Sequence, residues 1–436
     1  MLNKLCIAMC AALTVSLPVL AETLTIATVN NGDMVIMKEL SDDFTKKNPG
    51  IDLEWVTFEE NILRQRVTTD VATKGGQYDV MTIGTYEVPI WANRGWLLPL
   101  DKLDANYDLD DLLPAVRDGL TVNDKLHAAP FYAESSMVMY RTDLLAKAGL
   151  KMPKEPTWKF IEKAAAAMTD KENSVYGICL RGKAGWGENM ALLTAMSNSF
   201  GARWFDENWE PQLDSKAWHD TVDYYVSLLQ NYGPPGASSN GFNENLALFQ
   251  TGKCGMWIDA TVAGSFISNP EDSEVADKVG FALAPDNGLG KRGNWLWAWS
   301  LAVPASTKKS EAAMKFVSWA TSKEYLALVA KEKGLAKVPP GTRQSLYNNP
   351  AYMEASPFAQ ITLDSINAAD PNNPTVDPVP YVGIQYVAIP EFQGIGTAVG
   401  RQLSAVLAGQ MSVKEGLARS QKLVKRSMRK AGYPKN

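Results

Sequence analysis

Between residues 24 and 83 the sequence alternates between two hydrophobic periods, and that rhythm restricts the fold more than any other feature. Residues 24–29 (LTIATV) are a short β-rich run that ends at the turn signal Asn30-Asn31-Gly32-Asp33. Ile36, Met37, Leu40 and Phe44 then recur at helical spacing until Asn48-Pro49-Gly50 stops the helix. Residues 51–56 read as a second strand. Residues 61–74 read as a second helix through Leu63, Val67 and Val71, ended by Gly75-Gly76, and residues 78–83 (YDVMTI) as a third strand. Parallel strands need crossover helices, so this order predicts an α/β fold with a helix-covered parallel sheet. Such sheets bind ligands beyond the carboxyl ends of their strands. The residues there are Asn30, Asn31 and Asp33, then Glu59 and Glu60, then Thr85, Tyr86 and Glu87.

Residues 1–21 carry the pattern of an export signal. Lys4 supplies the positive start, residues 5–20 are apolar apart from Thr14 and Ser16, and Val19 and Ala21 are small residues at the −3 and −1 positions. Cleavage after Ala21 is expected, with delivery to the periplasm. Cys10 follows Met9 rather than a small residue, so no lipid anchor is expected. No later stretch approaches the ~20 apolar residues of a spanning helix. The remaining length suits two domains. Without Lys4 the charge becomes −6 (42 basic against 48 acidic residues), which gives no electrostatic reason to bind nucleic acid or anionic lipid. The basic residues from Lys414 to Lys430 fall at helical spacing and read as the solvated face of a terminal helix.

Cys179 and Cys254 remain after cleavage. An even pair in an oxidising compartment favours one disulfide, the alternative being two small buried residues. His127 and His219 lie far apart without partners at ligand spacing, so no metal site and no cofactor are expected.

Four segments combine polar and aromatic residues beyond the needs of a core. Residues 128–140 (AAPFYAESSMVMY) place Glu134, Ser135 and Ser136 in an apolar strand, a costly burial without partners, although an edge strand with a wet face would also fit. Residues 255–261 (GMWIDAT) end a buried-looking strand on Asp259, a ligand group or a helix cap. In residues 293–303 (GNWLWAWSLAV), Trp295, Trp297 and Trp299 alternate onto one strand face; one or two of them are expected to offer a platform for the C–H surface of a sugar or polyol and the rest to pack in the core. Residues 181–189 (RGKAGWGEN) add Arg181, Trp186 and Glu188 in a glycine-rich loop without phosphate-loop spacing.

Together these segments resemble a known family. The blocks QYDVMTIGTYEVPIWANRGWLLPLD, AAPFYAESSMVMYRTDLLAKAGL, ALFQTGKCGMWIDAT and GRQLSAVLAGQMSVKEGLARSQKLV are similar to the extracellular solute-binding proteins of ABC transporters, in the cluster that includes maltose-binding protein. CLRGKAGWGEN, NSFGARWFDE and YVAIPEFQGIGTA look most like its sorbitol/mannitol subgroup. The resemblance implies a two-lobed periplasmic binding protein fold with a hinge and a ligand cleft between the lobes. It also implies a monomer serving the transmembrane subunits of an ABC permease. Lobe 1 is expected over 22–131 and 301–352, and lobe 2 over 132–300 and 353–436. A sugar alcohol would stack on Trp297, with Trp186 or Tyr86. Its hydroxyls would donate to Glu134, Asp259, Glu188 or Glu60 and accept from Arg181 or Asn31. Tyr86 stands where some sugar binders carry a charge, which suggests a small neutral ligand. The alternatives are a mono- or disaccharide binder and a secreted glycoside hydrolase that uses Glu134 with Asp259.

Overall fold

β1 (Glu22–Val29) and β2 (Ile51–Phe58) run parallel, paired from Glu22 with Ile51 to Val29 with Phe58. The crossover between them contains α1 (Gly32–Leu40), and α2 (Glu60–Thr73) leads to β3 (Val80–Ile83), parallel on the other side of β1. Alternation of side chains buries Leu24 and Ile26 as the expected pattern requires. The second helix stops one residue earlier than its glycine pair suggested, because Lys74 itself takes the left-handed cap at φ 54°. α3 (Glu87–Asn93) follows β3. These coordinates are a computed structural model that describes residues 21–434, so the expected signal segment, Ala21 excepted, lies outside the described residues.

The segment at 128–140 divides into two strands, β4 (Ala129–Glu134) and β5 (Ser136–Arg141), separated by Ser135 alone. β5 lies in a second sheet between β6 (Met256–Ala260) and β7 (Val279–Leu283), antiparallel to both. β8 (Trp297–Ala302) returns to the first sheet, whose order is β2-β1-β3-β8-β4. β4 is an edge strand, yet all six of its residues are buried, and Ala133 N–H donates to Pro340 O at 2.9 Å, covering part of that edge. The chain therefore passes between sheets at Ser135 and again before Trp297, a few residues from the expected 131/132 and 300/301 divisions. A third passage follows the helix Pro350–Ala355: Phe358 packs on Phe281 of β7 at 6.1 Å between ring centroids.

The second lobe is built of helices around the small sheet. α4 (Asn189–Ser199) is buried along its whole length, and α5 (Phe242–Gln250) sets Phe242 5.4 Å from Trp257. α6 (Phe392–Leu407) brings Phe392 to 5.0 Å from Trp204. α7 (Val413–Lys430) begins with a Ser412/Glu415 capping box, buries Leu417, Val424 and Met428, and leaves its basic residues outward, as their spacing predicted. Cys179 and Cys254 form a disulfide with Cα atoms 6.0 Å apart. Among the described residues no helix is long and apolar enough to cross a membrane.

Candidate functional site

The first sheet presents one patterned face to the second lobe. Tyr132 and Glu134 are two apart on β4, and Trp297 and Trp299 two apart on β8, so each pair points the same way. Strand register sets Trp297 beside Glu134 and Trp299 beside Tyr132. All four line a narrow cavity between the lobes, with Trp295 next to them. The expectation that one or two of the three indoles would serve the core alone is corrected, since all three reach the cavity wall.

α2 supplies the next wall. Glu60 and Arg64, one turn apart, share a helix face. Arg64 donates to Glu60 Oε1 from Nε at 3.0 Å and from Nη2 at 2.9 Å, and to Glu87 Oε1 from Nη1 at 2.7 Å. Its guanidinium carbon lies 4.0 Å from the ring centre of Trp186, 4.8 Å from Trp299 and 4.9 Å from Trp297. Burial works against its charge, but the two carboxylates outweigh burial and raise its pKa further.

The opposite wall is the loop that carries Arg181 and Trp186. The disulfide and a parallel bridge from Cys179 to Trp257 hold the start of this loop against β6. Arg181 grips Asp259, with Nε 2.9 and 3.0 Å from the two carboxylate oxygens and Nη2 2.6 Å from Oδ1, while Nη1 donates to Gly187 O at 2.8 Å. Trp257 Nε1 at 3.0 Å and Ala260 N at 2.7 Å donate to the same carboxylate. Two glycines allow these parts to meet. A Cβ on Gly187 would lie 2.0 Å from Glu60 Oε1, and one on Gly84 would lie 1.9 Å from the Trp297 ring.

Asn31, Glu60, Glu134, Arg181, Trp186 and Trp297 of the expected set line the cavity. Three others do not, and their expected direct contacts are corrected. The Tyr86 hydroxyl donates to Ile389 O at 3.0 Å and accepts from Gln393 N at 3.1 Å, and its ring stacks behind Trp186 at 4.8 Å. Asp259 is wholly buried behind Arg181 and serves as its anchor rather than as a helix cap. Glu188 also sits behind Arg181, 3.6 Å from Nη1, where burial, then Glu60, pushes its carboxyl up to about 8. Sequence reasoning did not select Arg64, whose Glu60 spacing resembles an ordinary surface ion pair, nor Tyr132, whose hydroxyl accepts from Asn31 Nδ2 at 3.0 Å. It also passed over Gln385, which comes from a loop without periodicity and donates to Leu296 O at 2.7 Å.

Several polar groups here lack protein partners among the described residues. Trp186 Nε1 and Gln385 Oε1 are buried without a hydrogen bond, and the Glu134 carboxyl, 6% exposed, has none either. Burial raises the Glu134 pKa well above the usual carboxylate range. Asp259, Glu60 and Asp33 push the same way, and Arg181 opposes them. A wall of indole faces with unpaired donors and acceptors suits a small polyhydroxylated molecule. It does not suit two-carboxylate hydrolysis, because Asp259 is saturated by four donor groups and out of reach.

Residues 30–327 match the family described as bacterial extracellular solute-binding protein. A mannitol-binding protein of Pseudomonas aeruginosa is 56% identical over 428 residues, 98% of either chain. The crystal structure of an ABC transporter solute-binding protein from Agrobacterium vitis with bound D-mannitol has a TM-score of 0.95 and 73% identity, over 95% of this chain and 100% of that one. Another, from Agrobacterium radiobacter in complex with ribitol, has a TM-score of 0.82 and 25% identity, over 94% of this chain and 99% of that one. With two lobes, a buried cavity between them and a family match over most of its length, the chain belongs to the bacterial extracellular solute-binding proteins, which bind solutes and are not enzymes.

Proposed function

We propose that this protein captures an acyclic sugar alcohol, D-mannitol foremost, between its lobes and delivers it to the transmembrane subunits of an ABC importer. The observation that carries this reading is the cavity wall: three indoles beside an unpartnered, buried Glu134. The alditol's carbon chain lies against Trp297 and Trp295, and its hydroxyls donate to Glu134 and Glu60 and accept from Arg181, Arg64 and Asn31. Asp259 and Glu87 act at one remove, holding the two guanidinium groups in place. Hydrogen bonds to charged groups contribute about 1.5–3 kcal/mol each, so a few of them with stacking reach micromolar affinity, about −8 kcal/mol. The D-mannitol bound to the Agrobacterium vitis protein supports the choice of ligand.

Closure is part of the proposal. Glu59 of the first lobe meets Lys183 of the second at 2.8 Å, and Arg64 stacks on Trp186. A ligand that touches both walls favours the state in which they meet, and the permease reads that state. Export to the periplasm, cleavage after Ala21 and a monomeric state belong to the same reading. Calorimetry against D-mannitol, D-sorbitol, arabitol, glucose and maltose tests it. Tight alditol binding is expected, and binding of glucose or maltose without any alditol overturns it. Amino-terminal sequencing of the exported protein should begin at Glu22.

A further inference from the structure

The cavity holds a surplus of acid. Among the described residues two guanidinium groups reach it, and both are already claimed: Arg64 by Glu60 and Glu87, Arg181 by Asp259 with Glu188 at 3.6 Å. The nearby lysines are also engaged, Lys183 with Glu59 and Lys337 with Asp272. Glu134 is left on the cavity wall, buried, with no donor or counter-charge in hydrogen-bonding reach among the described residues. Its charged surroundings are Arg181 on one side and Asp259, Glu60 and Asp33 on the other. A neutral alditol can lend this carboxyl a hydroxyl proton but cannot neutralise it.

We propose that the same cavity accepts a cationic amino-alditol, its ammonium seated against the Glu134 carboxylate, and rejects alditol-derived carboxylic acids. The inference rests on the reading of the cavity as an alditol site. An ammonium is nearly isosteric with a terminal hydroxyl, brings several N–H donors, and forms the stronger charge-assisted bond. A carboxylate at the same place faces Glu134 and Glu60 with no unpaired cation to meet it. Burial, with Asp259, Glu60 and Asp33 nearby, raises the Glu134 pKa, and a cation seated beside it opposes that shift.

The test is calorimetry near neutral pH with D-mannitol, 1-amino-1-deoxy-D-mannitol and D-mannonate. The amine is expected to bind within about tenfold of D-mannitol or tighter, and the acid more than about tenfold weaker. Glu134→Gln is expected to lower the amine-to-mannitol preference by about threefold or more. An amine weaker than that limit, an acid within it, or an unchanged preference in the variant each overturns the proposal while D-mannitol still binds. Failure of D-mannitol itself removes the alditol reading first. The ligand series on the unmodified protein stands even if the variant does not fold.

Discussion

Gly84 follows β3 and has no place in the cavity wall, yet it governs the position of Trp297. A Cβ built there lies 1.9 Å from Cζ2, 2.2 Å from Cη2 and 2.6 Å from Cε2 of the indole. Ordinary contact begins near 3.4 Å, so in Gly84→Ala the ring must retreat by about 1.5 Å. Its retreat is boxed in by Trp299 at 5.4 Å, Trp186 at 5.8 Å, Tyr386 at 6.1 Å and the Arg64 guanidinium at 4.9 Å. The remaining direction is the cavity itself. Without ligand the cavity absorbs the ring, so the melting temperature should fall by no more than about 2 °C. With ligand, ring and alditol compete for one volume, and overpacking costs about 1–3 kcal/mol, roughly 5- to 150-fold in Kd. Calorimetry with D-mannitol and a thermal melt read the two quantities separately. Gly394→Ala is the control, because nothing lies within 4 Å of its added Cβ. Wild-type affinity in Gly84→Ala refutes the reasoning, as does a loss of stability as large as the loss of binding.

Three further outcomes are expected. Asp259→Asn takes the counter-charge from a buried Arg181 and should lower unfolding free energy by about 3–5 kcal/mol in urea titrations; a change below about 1 kcal/mol argues against the anchor role. Burial pushes Asp33 up to about 7 and Glu188 up to about 8, from ordinary values of 3.8 and 4.5. Between those limits the folded chain keeps protons that the unfolded chain has lost, so stability should fall as pH rises from about 4 to 8, and a higher melting temperature at pH 8 than at pH 5 contradicts this. Replacing both Cys179 and Cys254 with Ala removes a link between residues 75 apart and should cost about 2–5 kcal/mol; equal melting with and without the bond refutes it.

Much of this was legible because local period and register carry it. The alternation over residues 24–83 dictated the parallel start of the first sheet, and the i, i+2 spacing of three tryptophans marked the cavity wall before any strand was placed. Arg64 was not legible: a cation one turn from a glutamate reads as a solvent-facing pair, and only the approach of Trp186, far along the chain, turns it inward. Tyr86 failed for the converse reason. Its place after β3 does lead toward the cleft, but the loop at 381–391 arrives there first and takes its hydroxyl. Asp259 shows the same limit at shorter range. Its strand end was clear, whereas the choice between touching the ligand and anchoring Arg181 depends on a loop folded back by the disulfide.

Glu134 and Trp297 are paired neighbours, and each sits beside a point where the chain passes between the lobes. Parts of a lever close to its fulcrum travel least. In the opening that the proposed function requires, this pair would keep its spacing, while Glu60 and Arg64 on one side and Arg181 and Trp186 on the other would swing away from each other. The site thus splits into a resident half, available to an arriving solute at any opening angle, and a travelling half that engages last and lets go first. Changes in the resident half would alter which solute is admitted, and changes in the travelling half would alter how long it stays.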